Sequence, residues 1–157
     1  MAMTAPHRPS TAQPSPPWHA PADHRARLTS RLAAGLLGAL GGFQLALAAG
    51  APWGEAAWGG TSSTLTPGLR IASGVATVVW SGAALVTLRQ GGHDSWAPLP
   101  DRWLRRTTIG LAAYSGLGVL MNLASRSELE RAIWAPTTIA MAITLGLTAR
   151  WGRRAPR

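Results

Sequence analysis

Residues 32–54 read LAAGLLGALGGFQLALAAGAPWG, 23 consecutive positions without a charge. An α-helix rises about 1.5 Å per residue and the hydrocarbon core of a bilayer is about 30 Å thick, so about 20 such residues cross it. Three more charge-free stretches follow, residues 71–88, 107–125 and 132–149, of 18, 19 and 18 positions. A long helix buried in a soluble protein keeps a polar outer face. Here Gly, Ala, Leu, Ile, Val, Thr and Ser surround every segment. The sequence therefore predicts an all-α, polytopic membrane protein: an antiparallel four-transmembrane-helix bundle within residues 28–151, with spans at about 28–50, 67–90, 102–125 and 131–151.

The flanks differ in kind. Residues 1–27 hold six of the twelve prolines among Ser, Thr, His and Arg. Such a segment has too little apolar surface to offset the entropy of ordering it, so a disordered tail is expected. The first apolar stretch resembles a signal peptide only in part. It exceeds the usual apolar region of about 7–15 residues, which favours a retained span. Residues 152–157 form a short basic tail.

The arginines give the threading. All 15 basic residues are Arg, against six acids, for a net charge of +9. Arg8, Arg25, Arg27 and Arg31 precede the first span. Arg89, Arg102, Arg105 and Arg106 lie between the second and third, and Arg150, Arg153, Arg154 and Arg157 follow the fourth. Only Arg70, Arg126 and Arg131 fall in the other two connections. Short Arg-rich segments stay cytoplasmic, so both termini and the central connection are expected inside. The same asymmetry explains the high isoelectric point without nucleic acid, for which no reading element is present. Trp53, Trp58, Trp103, Trp134 and Trp151 sit at span ends, where an amphipathic indole prefers the headgroup zone. Trp80 falls mid-span, as a packing or lipid-facing residue.

Local signals mark the helix ends. Thr66-Pro67 reads as a cap followed by proline at the first helical position. Gly91 and Gly92 end that helix. Asp101 is positioned to cap the third helix, and Ser127 with Glu130 matches a capping box for the fourth. Pro136 then lies inside the fourth helix and should bend it. Small residues at four-residue spacing, such as Ala34, Gly38 and Gly42, are expected to carry helix–helix contact.

Little in the spans suggests chemistry. With no cysteine anywhere, disulfides, thiolate metal sites and thiol redox centres are excluded. No Asp, Glu, His or Arg lies deep in a span, which counts against proton-coupled carriers and against haem held by paired histidines. Of the four histidines, three are in the tail and His93 is in a loop, so no metal or cofactor is expected. Gln44 and Asn122 are the costly polar residues to bury. They should find partners as interhelical hydrogen bonds.

The distinctive residues cluster in the two outer loops. The first carries Trp53, Glu55 and Trp58; the second carries Asn122, Arg126, Glu130, Arg131 and Trp134. Glu55 is in position to pair with Arg126 or Arg131 over a floor of tryptophans, or the loops form an ordered cap. Pro52-Trp53-Gly54 with Gly59-Gly60, and later Asn122, Ser125, Ser127, Glu130-Arg131, Trp134 and Pro136, resemble a pattern in small four-span integral membrane proteins of bacteria, particularly high-GC actinobacteria. The resemblance covers residues 28–150. It implies an architecture and a location, with no activity attached. The expectation is a non-enzymatic protein of the bacterial inner membrane. Its partners are the lipid bilayer and either another membrane protein or a second copy. It is an accessory subunit presenting its outer-face loops, with an oligomeric small-solute carrier or channel as the alternative.

Overall fold

The structure, a computed structural model, describes residues 23–58, 62–125 and 127–153, with Glu130 described by its backbone alone. Among these residues all regular structure is helical. The helices are α1 (His24–Ala49), α2 (Pro67–Gln90), α3 (Asp101–Leu123) and α4 (Glu128–Trp151), with one 3-10 turn at Gly54–Ala56. Three of them, α1, α2 and Arg131–Trp151 within α4, are long and apolar enough to cross a membrane. α3 falls short. Asp101, Arg102, Arg105 and Arg106 occupy its start, and Tyr114, Ser115 and Asn122 dilute the charge-free remainder.

The ends of the helices follow capping chemistry, with two corrections. α2 begins where expected: Thr66 accepts from the Leu69 amide and Pro67 occupies the first position. α1 begins at His24, inside the segment expected to be disordered to residue 27. The reason is Asp23, whose carboxylate accepts from the Arg25 amide at 3.0 Å. The expected tail over residues 1–22 lies outside the described residues. Asp101 does not cap α3. Pro100 holds that position without a side-chain bond, and the Asp101 carboxylate instead takes the Arg89 guanidinium at 2.8 Å. That hydrogen bond holds the Asp101 carboxyl below the usual carboxylate range. α4 starts directly after Ser127, whose carbonyl accepts from the Arg131 amide at 3.0 Å. The Glu130 half of the expected capping box lies outside the described side chains. α4 runs unbroken through Pro136.

Helix contacts connect elements in antiparallel pairs. Gly41 of α1 sits against Thr77, Trp80 and Ser81 of α2, and the start of α1 meets Gly91. The Asn122 amide of α3 donates to Thr138 Oγ1 of α4 at 3.4 Å, while Arg105 at the other end donates to the Ala149 carbonyl at 3.2 Å. α1 and α4 meet through a buried hydroxyl pair, Thr148 Oγ1 to Thr29 Oγ1 at 3.1 Å, and through Arg25 over the Trp151 ring at 5.8 Å. α2 and α3 join through Arg89–Asp101 and through Trp80 against Tyr114, ring centroids 5.9 Å apart. The buried apolar cluster between the helices is small: Ala33 and Leu37 of α1, Ala83 of α2, Met141 and Leu145 of α4.

The packing face of α1 differs from the small-residue stripe read in the sequence. Gly38 and Gly42 face outward with nothing near a hypothetical Cβ, whereas Ala33, Leu37 and Gly41 face inward. Four-residue spacing finds a face but not which face, because Gly41 and Gly42 are adjacent and only one can be inside.

Hydroxyls inside the helices mostly back-bond one turn earlier, as Thr87 does to Ala83 and Thr108 to Leu104, both at 2.8 Å. Thr148 adds the contact across to α1. Thr148→Val is expected to cost about 0.6–1 kcal/mol, the usual worth of an interhelical hydroxyl bond, read as a shifted midpoint in detergent unfolding.

Candidate functional site

The connection from α1 to α2 folds back over the helix ends. Gly54 accepts this because a side chain there would collide with the Ser62 carbonyl; its amide donates to the Ser63 carbonyl at 3.0 Å. Trp58 adopts φ of 54°, a left-handed backbone uncommon for a bulky residue, and its indole donates to Ser73 Oγ at 3.2 Å. From the opposite side, the Trp134 indole of α4 donates to the Ala56 carbonyl at 2.5 Å. Ser127 Oγ donates to the Glu55 carbonyl at 3.3 Å. Phe43 of α1 ties these together. It stacks on Trp53 at 6.2 Å with planes 11° apart and meets Trp134 edge-on at 4.9 Å. Trp134→Phe keeps the ring contacts but orphans the Ala56 carbonyl. The expected result is a loss of about 1 kcal/mol, with faster proteolytic nicking of residues 51–58.

Two arginines, Arg70 and Arg131, serve helix ends. Arg70 Nε donates to the Ala48 carbonyl at 3.0 Å, beside Gly50 in its left-handed conformation. Arg131 donates to the Ser125 carbonyl at 2.9 Å. Cations at carbonyl-rich helix ends are favourable both as donors and against the helix dipole. The expected Glu55–Arg131 pair is therefore not formed: Arg131 is turned to the carbonyl and Glu55 is exposed. Arg126 lies outside the described residues.

Beneath this cap lies a cavity of about 580 Å³. Ala56, Ala57, Trp58 and Trp134 roof it, and Trp80, Ser115 and Met141 lie deeper. Its walls come from Leu40, Phe43 and Gln44 of α1, Ala76 of α2, and Tyr114, Leu117, Gly118, Met121 and Asn122 of α3. Among the described residues no charged side chain lines it. Gln44 was expected to find an interhelical partner, but its Oε1 is buried without one. Asn122 does find one, in Thr138.

Three of the residues singled out from the sequence, Trp58, Asn122 and Trp134, thus meet around one space. Trp53 reaches it through Phe43, whereas Glu55 and Arg131 do not line it. Sequence reasoning missed Phe43, although it is the single phenylalanine of the chain and directly precedes Gln44. Among the described residues no group of three His, Asp or Glu is arranged to hold a metal ion. No protein family, curated protein or solved structure matches the chain.

Proposed function

We propose that this is a non-enzymatic, four-span protein of the bacterial inner membrane, with both termini and residues 91–100 in the cytoplasm. It serves as an accessory subunit whose outer half is a capped binding element. The observation that carries this reading is the apolar character of the outward faces. Leu32, Leu45, Val75, Val78, Leu120 and Ile143 all point away from the core. Water would make such a surface unfavourable; lipid makes it ordinary. α3 counts as the fourth span because its antiparallel contacts with α2 and α4 reach from Asp101 to Asn122. The resemblance of the loop residues, from Pro52-Trp53-Gly54 to Trp134 and Pro136, to those of small four-span bacterial membrane proteins supports this reading. On the outer surface, Trp53, Glu55, Trp58 and Arg131 are exposed residues offered to a membrane-protein partner or a second copy.

The absence of cysteine makes a direct test simple. Single replacements Ser62→Cys and Asp94→Cys are labelled in intact cells with an impermeant maleimide. Labelling at 62 alone is expected, and labelling at 94 alone would reverse the threading. Purification in mild detergent then separates a stoichiometric complex from a free protein. The second reading, an oligomeric small-solute carrier or channel, is favoured by one observation: Gln44, Tyr114 and Asn122 border the same cavity. Solute flux in proteoliposomes would support it over the accessory role.

A further inference from the structure

We propose that the cavity under the 54–58 turn binds a neutral amphiphile carrying an O–H or N–H donor, which enters sideways from the bilayer between α2 and α3. The inference rests on the membrane placement proposed above, and names what the cavity would take. The volume of about 580 Å³ lies within the range that holds ordinary small ligands.

Three features define the ligand. The walls are aliphatic and aromatic, which favours a largely apolar body. Among the described residues no charged side chain lines them, so an ionic group would lose its hydration there without compensation from these walls. Gln44 Oε1 is a buried acceptor with nothing to accept, and a buried amide oxygen costs free energy until a donor reaches it. A hydroxyl or amine on an apolar molecule supplies that donor.

The direction of entry comes from exposure. The roof is the more closed side: Ala56 and Ala57 are 6% and 7% exposed and Trp58 45%. The α3 wall is open, with Met121 at 67% exposed and Leu117 and Tyr114 also exposed. The contacts between α2 and α3, Arg89–Asp101 and Trp80–Tyr114, run from their connection to about the middle of each helix. On the other side of Trp80 the α2 wall is the small Ala76. The opening therefore faces the region where acyl chains would lie.

The test uses the full chain in phosphatidylcholine nanodiscs with two probes, 2-bromo-4-nonylphenol and its methyl ether. Bromine quenches indole fluorescence near contact, and Trp58, Trp80 and Trp134 all border the cavity. Incorporation into the discs is read first by size exclusion; failure there sinks the membrane reading rather than the site. The expected result is saturable quenching by both probes, with the phenol half-saturating at about tenfold lower concentration, the worth of satisfying one buried acceptor. Gln44→Leu should bring that ratio to about one and leave the ether curve in place. Ala76→Phe should remove saturable quenching by both while helical circular dichroism is kept. Quenching that rises without saturation in the unmodified protein would overturn the site. Equal half-saturation by the two probes there, or a ratio that survives Gln44→Leu, would overturn the assigned donor. The two-probe comparison needs no variant to fold.

Discussion

Val78→Asp is expected to abolish stable membrane integration. Val78 lies at the midpoint of α2 and is 73% exposed, facing away from every other helix. In a soluble protein an aspartate on such a surface would change stability by about 0.5 kcal/mol or less. At the centre of a membrane-spanning helix it costs about 3 kcal/mol on insertion, and its short side chain cannot reach the interface. The measurement is the fraction of protein left in the pellet after alkaline carbonate extraction. A sharp fall is expected for Val78→Asp. Val78→Leu should behave as the unmodified chain. Full retention of the aspartate variant would mean that this face does not meet lipid.

Gly91→Ala should be strongly damaging for so small a substitution. The φ of Gly91 is −73°, open to any residue, so the cost is purely one of space. A Cβ there would overlap Ser30 Oγ and Cβ and lie 2.9 Å from the Ala26 carbonyl oxygen. Ser30 is fully buried and its hydroxyl is held by the Arg27 carbonyl at 3.0 Å, so it has nowhere to turn. Forcing the helices apart at this point is expected to cost about 3 kcal/mol, seen as a lowered midpoint in detergent unfolding. Gly116→Ala, with open space around its Cβ, is the neutral control. The double variant Ser30→Gly with Gly91→Ala should recover part of the loss. Strict additivity of the two changes would show that the contact is not the cause.

Much of the fold was legible because bilayer length and capping act locally. α2 runs over the expected residues 67–90, since Thr66 and Pro67 carry their own start signal. Other features depended on distant partners. Asp101 had a local reason to cap α3, but Arg89, twelve positions earlier, offers a full opposite charge. Arg131 had Glu55 as a candidate partner in the sequence, yet its guanidinium donates to the Ser125 carbonyl. Periodicity could not say whether Gly41 or Gly42 of α1 faces α2. The cavity was the least legible feature. Its roof exists only because the 54–58 turn folds back onto Trp134, a contact 78 positions apart. That same fold leaves Gln44 Oε1 buried without a hydrogen-bond partner.

The hydroxyl pair between Thr29 and Thr148 joins positions 119 residues apart. During synthesis the ribosome delivers α1 first and α4 last, so α1 waits for one of its two neighbours until translation is nearly complete. The intervening α2 can dock at once, and α3 can pair fully only when α4 arrives. A nascent chain stalled before residue 128 would therefore hold a half-assembled pair whose Leu37 edge lacks Met141 and Leu145. Quality-control proteases that survey the lipid phase would meet that exposed seam in every truncated product.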